Sequence, residues 1–287
     1  MDAPRDVEQA LSGESGIVAG RRARLVARLR DLDDETAAWV RLLPPRLDRA
    51  ARVSGGSVRV LGIYAADGAE STTRAVAELR RSHRPLEIVL GALDEAAPAL
   101  EHETVLAGLR GRGKFENLNA LLAQAPASSA SWTIVMDDDV GLPRGFLDRF
   151  LFVCERLPLQ LAQPALTHTS HAAWRVFRRR RWVVARRTNM VEIGPLTAFS
   201  APVAAELLPF PPLRMGWGLD AHWGALARER GWRLGVVDVT PIRHSRRVTA
   251  GTYDRDEAVS ELKAFLAERA WIDRKTANSV IETRRFW

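Results

Sequence analysis

The sequence contains almost no cysteine. Cys154 is the single cysteine among 287 residues. One cysteine excludes an intramolecular disulfide and any zinc site built on paired cysteines, so a reducing cytosol is the expected compartment. We expect Cys154 itself to be a small buried apolar residue.

Long apolar runs are also missing. No stretch approaches the roughly 18 to 20 apolar residues that a membrane-spanning helix needs. The first ten residues, Met1 to Ala10, lack the basic and then apolar layout of a signal peptide. We therefore expect a soluble cytoplasmic protein, or one peripheral to the inner face of the membrane.

Lysine is rare as well, because only Lys114, Lys263 and Lys275 are lysines among 42 basic residues. A GC-rich coding sequence produces such an excess of arginine without a functional cause. The net charge of +7 is therefore a weak guide to partners. Nucleotide phosphates, anionic lipids and nucleic acid are all compatible with it. An apolar fraction of 46% is ample for the core of a large α/β domain.

Residues 1–52 form a predicted N-terminal helical arm that ends at Pro44 and Pro45. Leu25, Leu29 and Leu32 recur at helical spacing among several arginines. A basic amphipathic helix of this kind could lie on an anionic membrane. The interpretation we favour is an arm packed on the main domain with its arginines in solvent.

Residues 53–250 show the pattern of an α/β domain, and residues 251–287 form a predicted C-terminal helical extension. Strands are expected at Val58–Ala65, Leu86–Asp94 and Trp132–Met136, with helices between them. This order predicts an open, mixed but mainly parallel sheet flanked by helices, whose ligands bind at the carboxyl ends of the strands. Further strands are expected in "LQLAQPAL", "MVEIGPLTAFS" and "WRLGVVDV", and a helix in "GLDAHWGALARERG".

The segment "WTIVMDDDVGLP" places three carboxylates directly after a buried strand. Hard cations such as Mg²⁺ and Mn²⁺ bind carboxylate oxygens, often together with substrate phosphates. Asp137 and Asp139 could both face one ion if the chain turns there. An acidic turn, or a cluster capping the helix near Phe146, is the structural alternative.

Three further features have both a functional and a structural interpretation. In "GRGKFENLN", Lys114 at a helix start could bind phosphate, or the segment is an ordinary capped helix. In "MGWGLDAHW", Asp220 could be a general base or a helix N-cap. In "PIRHSRR", His244 just after a strand could be a metal ligand or a structural histidine.

The order of these features resembles the GT-A glycosyltransferases, and most closely the family 2 type of nucleotide-sugar transferases. The segments "GKFENLN", "AQPAL", "VEIGPLTAFS", "GWGLD" and "LGVVDVTPIRH" also look like proteins grouped as domain of unknown function 707. The resemblance covers about residues 57 to 250. It implies a GT-A domain over residues 53–250.

The resemblance also implies roles for individual residues. Asp137 and Asp139 would hold Mn²⁺ or Mg²⁺, and His244 would complete the metal site. Asp220 would activate the acceptor, which Trp217 and Gly218 would contact. The residues expected to bind the nucleotide-sugar donor are Asp67, Asp94, Lys114, Asn117 and Asp138.

The implied activity is transfer of a sugar, preferably from a UDP sugar, to an unknown hydroxyl acceptor with inversion. A family 2 segment usually reads Glu-Asp where this chain has Leu219 and Asp220. A retaining transferase of the same fold therefore stays open as an alternative. A sugar-phosphate nucleotidyltransferase is another alternative, because such enzymes also place acidic residues at strand ends.

The run "WRVFRRRRWVVARR" is the most strongly biased segment. Arg178 to Arg181 could bind an acidic acceptor, the donor diphosphate or an anionic membrane, or they could form a solvated loop. A non-catalytic protein that uses this run to hold anionic lipid or nucleic acid is the alternative outside enzymes, although no recognisable nucleic-acid motif supports the second ligand. The oligomeric state is not predicted.

Overall fold

The structure is a computed structural model. It describes residues 7–11, 18, 20–52, 55–124, 129–245 and 254–287.

The described residues form one ten-stranded sheet. Along the main path its order is β10-β7-β9-β6-β8-β4-β1-β2-β3, and β5 pairs with β9. The strands are β1 Val58–Tyr64, β2 Leu86–Ala92, β3 Thr104–Leu106, β4 Trp132–Met136, β5 Val140–Gly141, β6 Leu161–Leu166, β7 Ala185–Thr188, β8 Leu196–Ser200, β9 Leu234–His244 and β10 Val280–Arg284.

The strand directions place several sequence features at one edge of the sheet. β1 pairs in parallel with β2 and with β4, and β6 pairs in parallel with β9. β8 lies antiparallel between β4 and β6, so β4 and β6 point the same way. The carboxyl ends of β1, β2, β4, β6 and β9 therefore share one edge, as the mixed and mainly parallel prediction requires.

Helices flank this sheet, and most of them match the apolar patterns of the sequence. Helix α4 begins at Lys114, and α7 ends at the left-handed Gly231. The helices are α1 Arg21–Val40, α2 Leu43–Ala51, α3 Ala69–Leu79, α4 Lys114–Gln124, α5 Phe146–Arg156, α6 Ala201–Leu207, α7 Leu219–Arg230, α8 Arg255–Leu266 and α9 Arg274–Ala277.

Three features differ from the expectation. The segment from Met190 to Pro195 is an irregular loop, and the strand expected there is confined to β8. β9 is longer than "WRLGVVDV", so His244 is its last residue and does not follow the strand. β10 was not expected; it joins the sheet beside β7, so the C-terminal segment supplies an edge strand.

The N-terminal arm packs on the domain with the face opposite to the one its leucines suggest. In α1 the buried residues are Ala27, Asp34 and Ala37. Leu29 is 56% exposed and Leu32 is 59% exposed. Small side chains let the helix approach the domain closely, so the leucine stripe faces solvent.

Two expectations can be compared with the structure: the burial of the single cysteine and the lack of a membrane-spanning helix. Cys154 is fully buried in the main core cluster, and burial raises the pKa of its thiol. Within the described part of the chain, none of the helices combines the length and the apolar character needed to span a bilayer.

Candidate active site at the strand ends

Asp137, Asp139 and His244 converge at the carboxyl edge of the sheet. One ligand atom from each side chain lies within 4.8 Å of the other two. The convergence follows from local pairing, because the chain turns after β4 and β5 then pairs antiparallel with the end of β9, with Val140 opposite His244. The backbone carbonyl of Asp139 also accepts the N–H of Ser245 at 3.1 Å.

Burial and charge couple His244 to Asp139. Asp139 is 5% exposed, and its Oδ2 lies 3.2 Å from Nε2 of His244. Burial alone would lower the pKa of His244, but the hydrogen bond to Asp139 and the charges of Asp139, Asp137 and Glu192 more than offset it. The pKa of His244 is therefore raised. When it is protonated, the imidazole would be an internal counter-ion of these carboxylates.

The cluster fits a hard divalent cation. Two ligands of an octahedral ion with metal–oxygen distances near 2.1 Å lie about 3 to 4.2 Å apart. A separation within 4.8 Å is thus close to the required size. Two carboxylates and one imidazole are ligand types that suit such ions.

Lys114 lies beside this cluster at the start of α4. Its Nζ is 2.6 Å from Oδ1 of Asp137 and donates to the carbonyl of Ile193 at 3.1 Å. Gly194 borders the same contact, because a Cβ at this position would lie 2.7 Å from Oδ2 of Asp137. Any larger residue at Gly194 would push this carboxylate away from the lysine.

Asp138 points away from Asp137 and Asp139. Its Oδ2 accepts the backbone N–H of Ala65 at 2.9 Å, just after β1. Gly68 makes room for it, because a Cβ there would lie 2.0 Å from the same oxygen. Asp138 therefore joins the end of β4 to the short turn that contains Asp67.

Asp94 follows β2 and is held at the same edge. Arg110 binds its carboxylate from two nitrogens, and the backbone N–H of Ala66 donates to Oδ2 at 3.2 Å. The hydrogen bond from Arg110 is the main reason that the pKa of Asp94 is lowered. Asp94 is therefore an ionised, fixed acceptor next to the turn after β1.

Asn117 is 1% exposed. Its amide nitrogen donates to the carbonyl of Leu109 at 3.2 Å. The side chain thus holds the loop in front of α4, so any contribution to a donor site would pass through that loop.

Asp220 lies in the first turn of α7, but it does not cap the helix. The N-cap position belongs to Gly218, which has a left-handed φ of 92°. The Asp220 carboxylate accepts the N–H of Ala221 at 2.9 Å. It is 8% exposed, and burial raises its pKa to about 6. The N-cap interpretation of Asp220 is therefore wrong, and a buried carboxyl of raised basicity stands in its place.

The loop before α7 contains Trp217 and is fixed by the C-terminal segment. Glu261 of α8 accepts the backbone N–H groups of Arg214, Met215 and Gly216 at 2.6, 3.0 and 2.9 Å. Residues outside the stretch that carries the family resemblance thus shape the loop.

Glu192 is a residue that sequence reasoning did not select. Its Oε2 is buried without a hydrogen-bond partner. Burial, which is the largest cause, together with the charges of Asp220 and Asp137, raises its pKa to about 8 despite the opposing effect of His244. These couplings place it within the same electrostatic cluster. The signal was hidden because "MVEIGPLTAFS" was interpreted as one strand.

The arginine run does not present four charges to a surface. Arg179 is 8% exposed and donates to the carbonyl of Asp34. Arg178 donates to the carbonyls of Thr167, His168 and Ser170. Arg180 and Arg181 are exposed, so half of the run is committed to internal contacts.

Two solved structures with a related arrangement are glycosyltransferase complexes. The first is GalNAc-T7 with UDP, GalNAc and Mn²⁺, with a TM-score of 0.51 and 14% identity over 67% of this chain. The second is S. aureus TarS 1-349 with UDP-GlcNAc, with a TM-score of 0.54 and 11% identity over 77% of this chain. The chain has the GT-A fold.

This likeness concerns the GT-A fold alone. The chain spans 44% of the GalNAc-T7 chain and 69% of the TarS chain. No protein-family model matches the sequence, so the resemblance to domain of unknown function 707 is not confirmed. No curated protein matches it either.

Proposed function

We propose that this protein is a metal-dependent glycosyltransferase that moves a sugar from a UDP sugar to a hydroxyl acceptor with inversion at the sugar carbon. One observation carries the proposal: Asp137, Asp139 and His244 converge beside Lys114 at the strand ends of a GT-A fold. The two related structures, which contain UDP or UDP-GlcNAc, support the choice of nucleotide.

The metal site and Lys114 would together bind the donor diphosphate. A divalent cation, Mn²⁺ or Mg²⁺, supplies positive charge that stabilises the leaving phosphate. Lys114 adds a second positive charge, which the contacts with Asp137 and Ile193 hold in place. Charge fixed before the reaction costs no reorganisation as the leaving group departs.

The turn after β1 would hold the nucleoside. Asp94 would accept a hydrogen bond from the base, since Arg110 keeps it ionised and in place. Asp67 and Asp138 would contact the ribose or the sugar. Asn117 would act indirectly, through its hydrogen bond to the loop at Leu109.

Asp220 would be the general base. A pKa of about 6 leaves most of the carboxylate ionised at neutral pH while making it a stronger base than an ordinary aspartate. It would take the proton of the acceptor hydroxyl as that oxygen bonds to the sugar carbon and the bond to the diphosphate breaks. Trp217 and Gly218, next to it, would contact the acceptor.

A retaining transferase is the second candidate, because Leu219 stands where family 2 segments usually have a glutamate. Asp220 would then orient the acceptor, and the leaving phosphate would help to take the proton. The anomeric configuration of the first product, observed by NMR during turnover, distinguishes the two.

A thermal-shift titration followed by a turnover assay tests the proposal. UDP with Mn²⁺ or Mg²⁺ should raise the melting temperature by mass action, and UDP sugars should release UDP slowly in the presence of the metal. Asp139→Asn should lose both effects, whereas Glu268→Gln, an exposed carboxyl on the C-terminal segment, should keep both. Absence of a shift and of turnover with every nucleotide sugar tested would reject the proposal.

A further inference from the structure

We propose that the exposed stripe of α1 docks on an anionic membrane surface. The stripe runs almost the whole length of the helix, and its members are Leu25 (58% exposed), Leu29 (56%), Leu32 (59%), Trp39 (60%) and Val40 (74%). At about 100° per residue these five side chains fall on one side of the helix. This proposal does not rest on the proposed transferase activity.

The opposite face explains why the stripe is free to bind. Ala27, Asp34 and Ala37 are the buried residues of α1. Since the helix is already attached through this face, the stripe contributes nothing to holding the arm on the domain. Contiguous exposed apolar surface of this kind marks an interaction site.

Arginines flank the stripe in the N-terminal half of the helix. By helical periodicity, Arg21, Arg22 and Arg28 fall beside the stripe, and all three are exposed. An apolar face containing leucine and tryptophan with flanking arginines is the pattern of helices that lie in the interface of an anionic bilayer.

Three of the four acidic residues of α1 are engaged by the protein itself, and the fourth, Glu35, is exposed in the C-terminal half of the helix. Asp31 accepts the N–H of His168 at 2.7 Å, and Asp34 lies 3.1 Å from Nε2 of His168. Asp33 pairs with Arg181 at 3.1 Å. These carboxylates therefore anchor the arm, and the outward charge at the N-terminal half of the helix is positive.

A lipid surface fits this face better than a second copy of the chain. Two such helices pressed together would offer the arginines beside each stripe few acidic partners, because three of the four carboxylates of α1 already bind other parts of the chain, which leaves the exposed Glu35. An anionic membrane accepts the leucines and tryptophan in its interface and the guanidinium groups at its phosphates. The exposed side chains of Trp182 and Phe286, both within 6 Å of the Arg41 guanidinium just beyond the helix, enlarge the aromatic surface at this end.

Docking through α1 would also orient the candidate active site. Asp31 and Asp34 bind the loop after β6 at His168, and Ser170 in this loop accepts the N–H of His244 at 3.0 Å. One loop thus separates the proposed membrane helix from the metal ligand. A membrane-bound molecule would present the strand-end edge at a fixed distance from the lipid surface.

Vesicle flotation of the full chain tests this inference. Vesicles of equimolar phosphatidylcholine and phosphatidylglycerol should carry the protein, and pure phosphatidylcholine vesicles should carry much less. The variant Leu29→Gln/Leu32→Gln should lower the partition coefficient by about tenfold or more, because two apolar side chains leave the interface. Raised salt should weaken binding, because it screens the arginine contribution.

Two matched variants serve as controls. Val105→Gln/Ile281→Gln replaces two exposed apolar side chains elsewhere and should leave flotation unchanged. Arg21→Gln/Arg22→Gln/Arg28→Gln should weaken binding to anionic vesicles more than Arg74→Gln/Arg81→Gln/Arg156→Gln, which removes the same charge from exposed positions elsewhere. Sedimentation velocity without lipid should show the same mass for wild type and Leu29→Gln/Leu32→Gln. Equal flotation of both double variants, or a dimer that Leu29→Gln/Leu32→Gln dissociates, would overturn the inference.

Discussion

Asp238 and Asp220 are both buried carboxylates, but their partners are of different kinds. Asp238 on β9 binds Arg186 on β7 through two hydrogen bonds of 2.8 and 3.0 Å, and both residues are almost completely buried. The hydrogen bond described for Asp220 comes from the backbone of Ala221. In the first arrangement the carboxylate charge has a guanidinium partner in the sheet, and in the second a carboxyl remains whose protonation can change near pH 6. Position separates them too, because the pair lies within strands and Asp220 lies in the first turn of a helix.

The ion pair between Arg186 and Asp238 holds the arginine run Arg178–Arg181 in place. The backbone N–H of Arg180 donates to Asp238 at 2.7 Å, and Arg186 donates to the carbonyl of Arg178 at 3.0 Å. The run is therefore wrapped around a buried ion pair. The strand-end carboxylates Asp137 and Asp139 have other neighbours, because Lys114 lies beside Asp137 and His244 beside Asp139.

The largest expected effect is on stability and concerns the pair. Asp238→Ala should lower the free energy of unfolding by about 3 to 5 kcal/mol, because it leaves the guanidinium of Arg186 buried and uncompensated. Arg186→Met/Asp238→Leu should lose much less, since neither charge remains. Urea unfolding followed by tryptophan fluorescence measures both. If the double variant were as unstable as Asp238→Ala, packing and not charge would be the dominant contribution.

The next effect is on activity and concerns the strand ends. Asp139→Asn should reduce turnover about 100-fold to 1,000-fold, because it would remove a proposed ligand of the cation that would stabilise the leaving group. Its free energy of unfolding should fall much less than that of Asp238→Ala, since His244 can lose its proton when the carboxylate is gone, whereas Arg186 cannot. Initial rates and urea unfolding on one preparation test this contrast with Asp238. A variant that lost stability and activity together would place Asp139 with the structural pair.

The pH dependence of Asp220 is a smaller effect. If Asp220 is the base, kcat/KM should fall about tenfold per pH unit once the pH drops below its pKa of about 6, because the protonated carboxyl cannot take a proton. Rates measured with saturating metal separate this fall from proton competition at His244, whose neutral form would be the metal ligand. Asp220→Asn should retain only a low rate without that fall. A fall that persisted in Asp220→Asn would assign the base to another group.

A further effect, which shows only as a pH dependence of stability, is expected at Glu192. Its pKa of about 8 in the folded protein lies above the usual 4.5, so the folded state binds the proton more tightly than the unfolded state. The resulting stability is present below pH 4.5 and is lost as the pH rises toward 8. Glu192→Gln, which mimics the neutral form, should therefore reduce the fall in urea midpoint between pH 5 and pH 8. An identical fall in both proteins would show that Glu192 is not the residue that titrates.

Local patterns were sufficient to predict the sheet edge that carries the site. Buried runs such as Trp132–Met136 predict strands, and their parallel order places Asp94 and Asp139 at one edge. The side of α1 that packs on the domain could not be predicted in the same way. Hydrophobic spacing selects the leucines, whereas the contacts of Asp31 and Asp34 with His168, distant in sequence, decide which side packs.

The site was predicted less completely than the fold for the same reason. The burial of Glu192 depends on how the loop before β8 packs, and "MVEIGPLTAFS" contains no periodic pattern that would reveal it. The inward contacts of Arg179 depend on Asp34 in α1, which lies far away in sequence. The role of a residue can be predicted from the sequence when neighbours in the same segment determine it. It cannot be predicted in this way when contacts between two distant segments determine it. The donor, acceptor and base roles stay predictions until they are measured.

The hydrogen bonds from Glu261 have a consequence for the cost of substrate binding. One carboxylate accepts three successive backbone N–H groups directly before Trp217. The backbone of this loop is therefore already ordered in the folded protein. An acceptor that binds there would not have to offset the entropy cost of ordering the loop. Affinity for the acceptor would then be set partly by a side chain that never touches it.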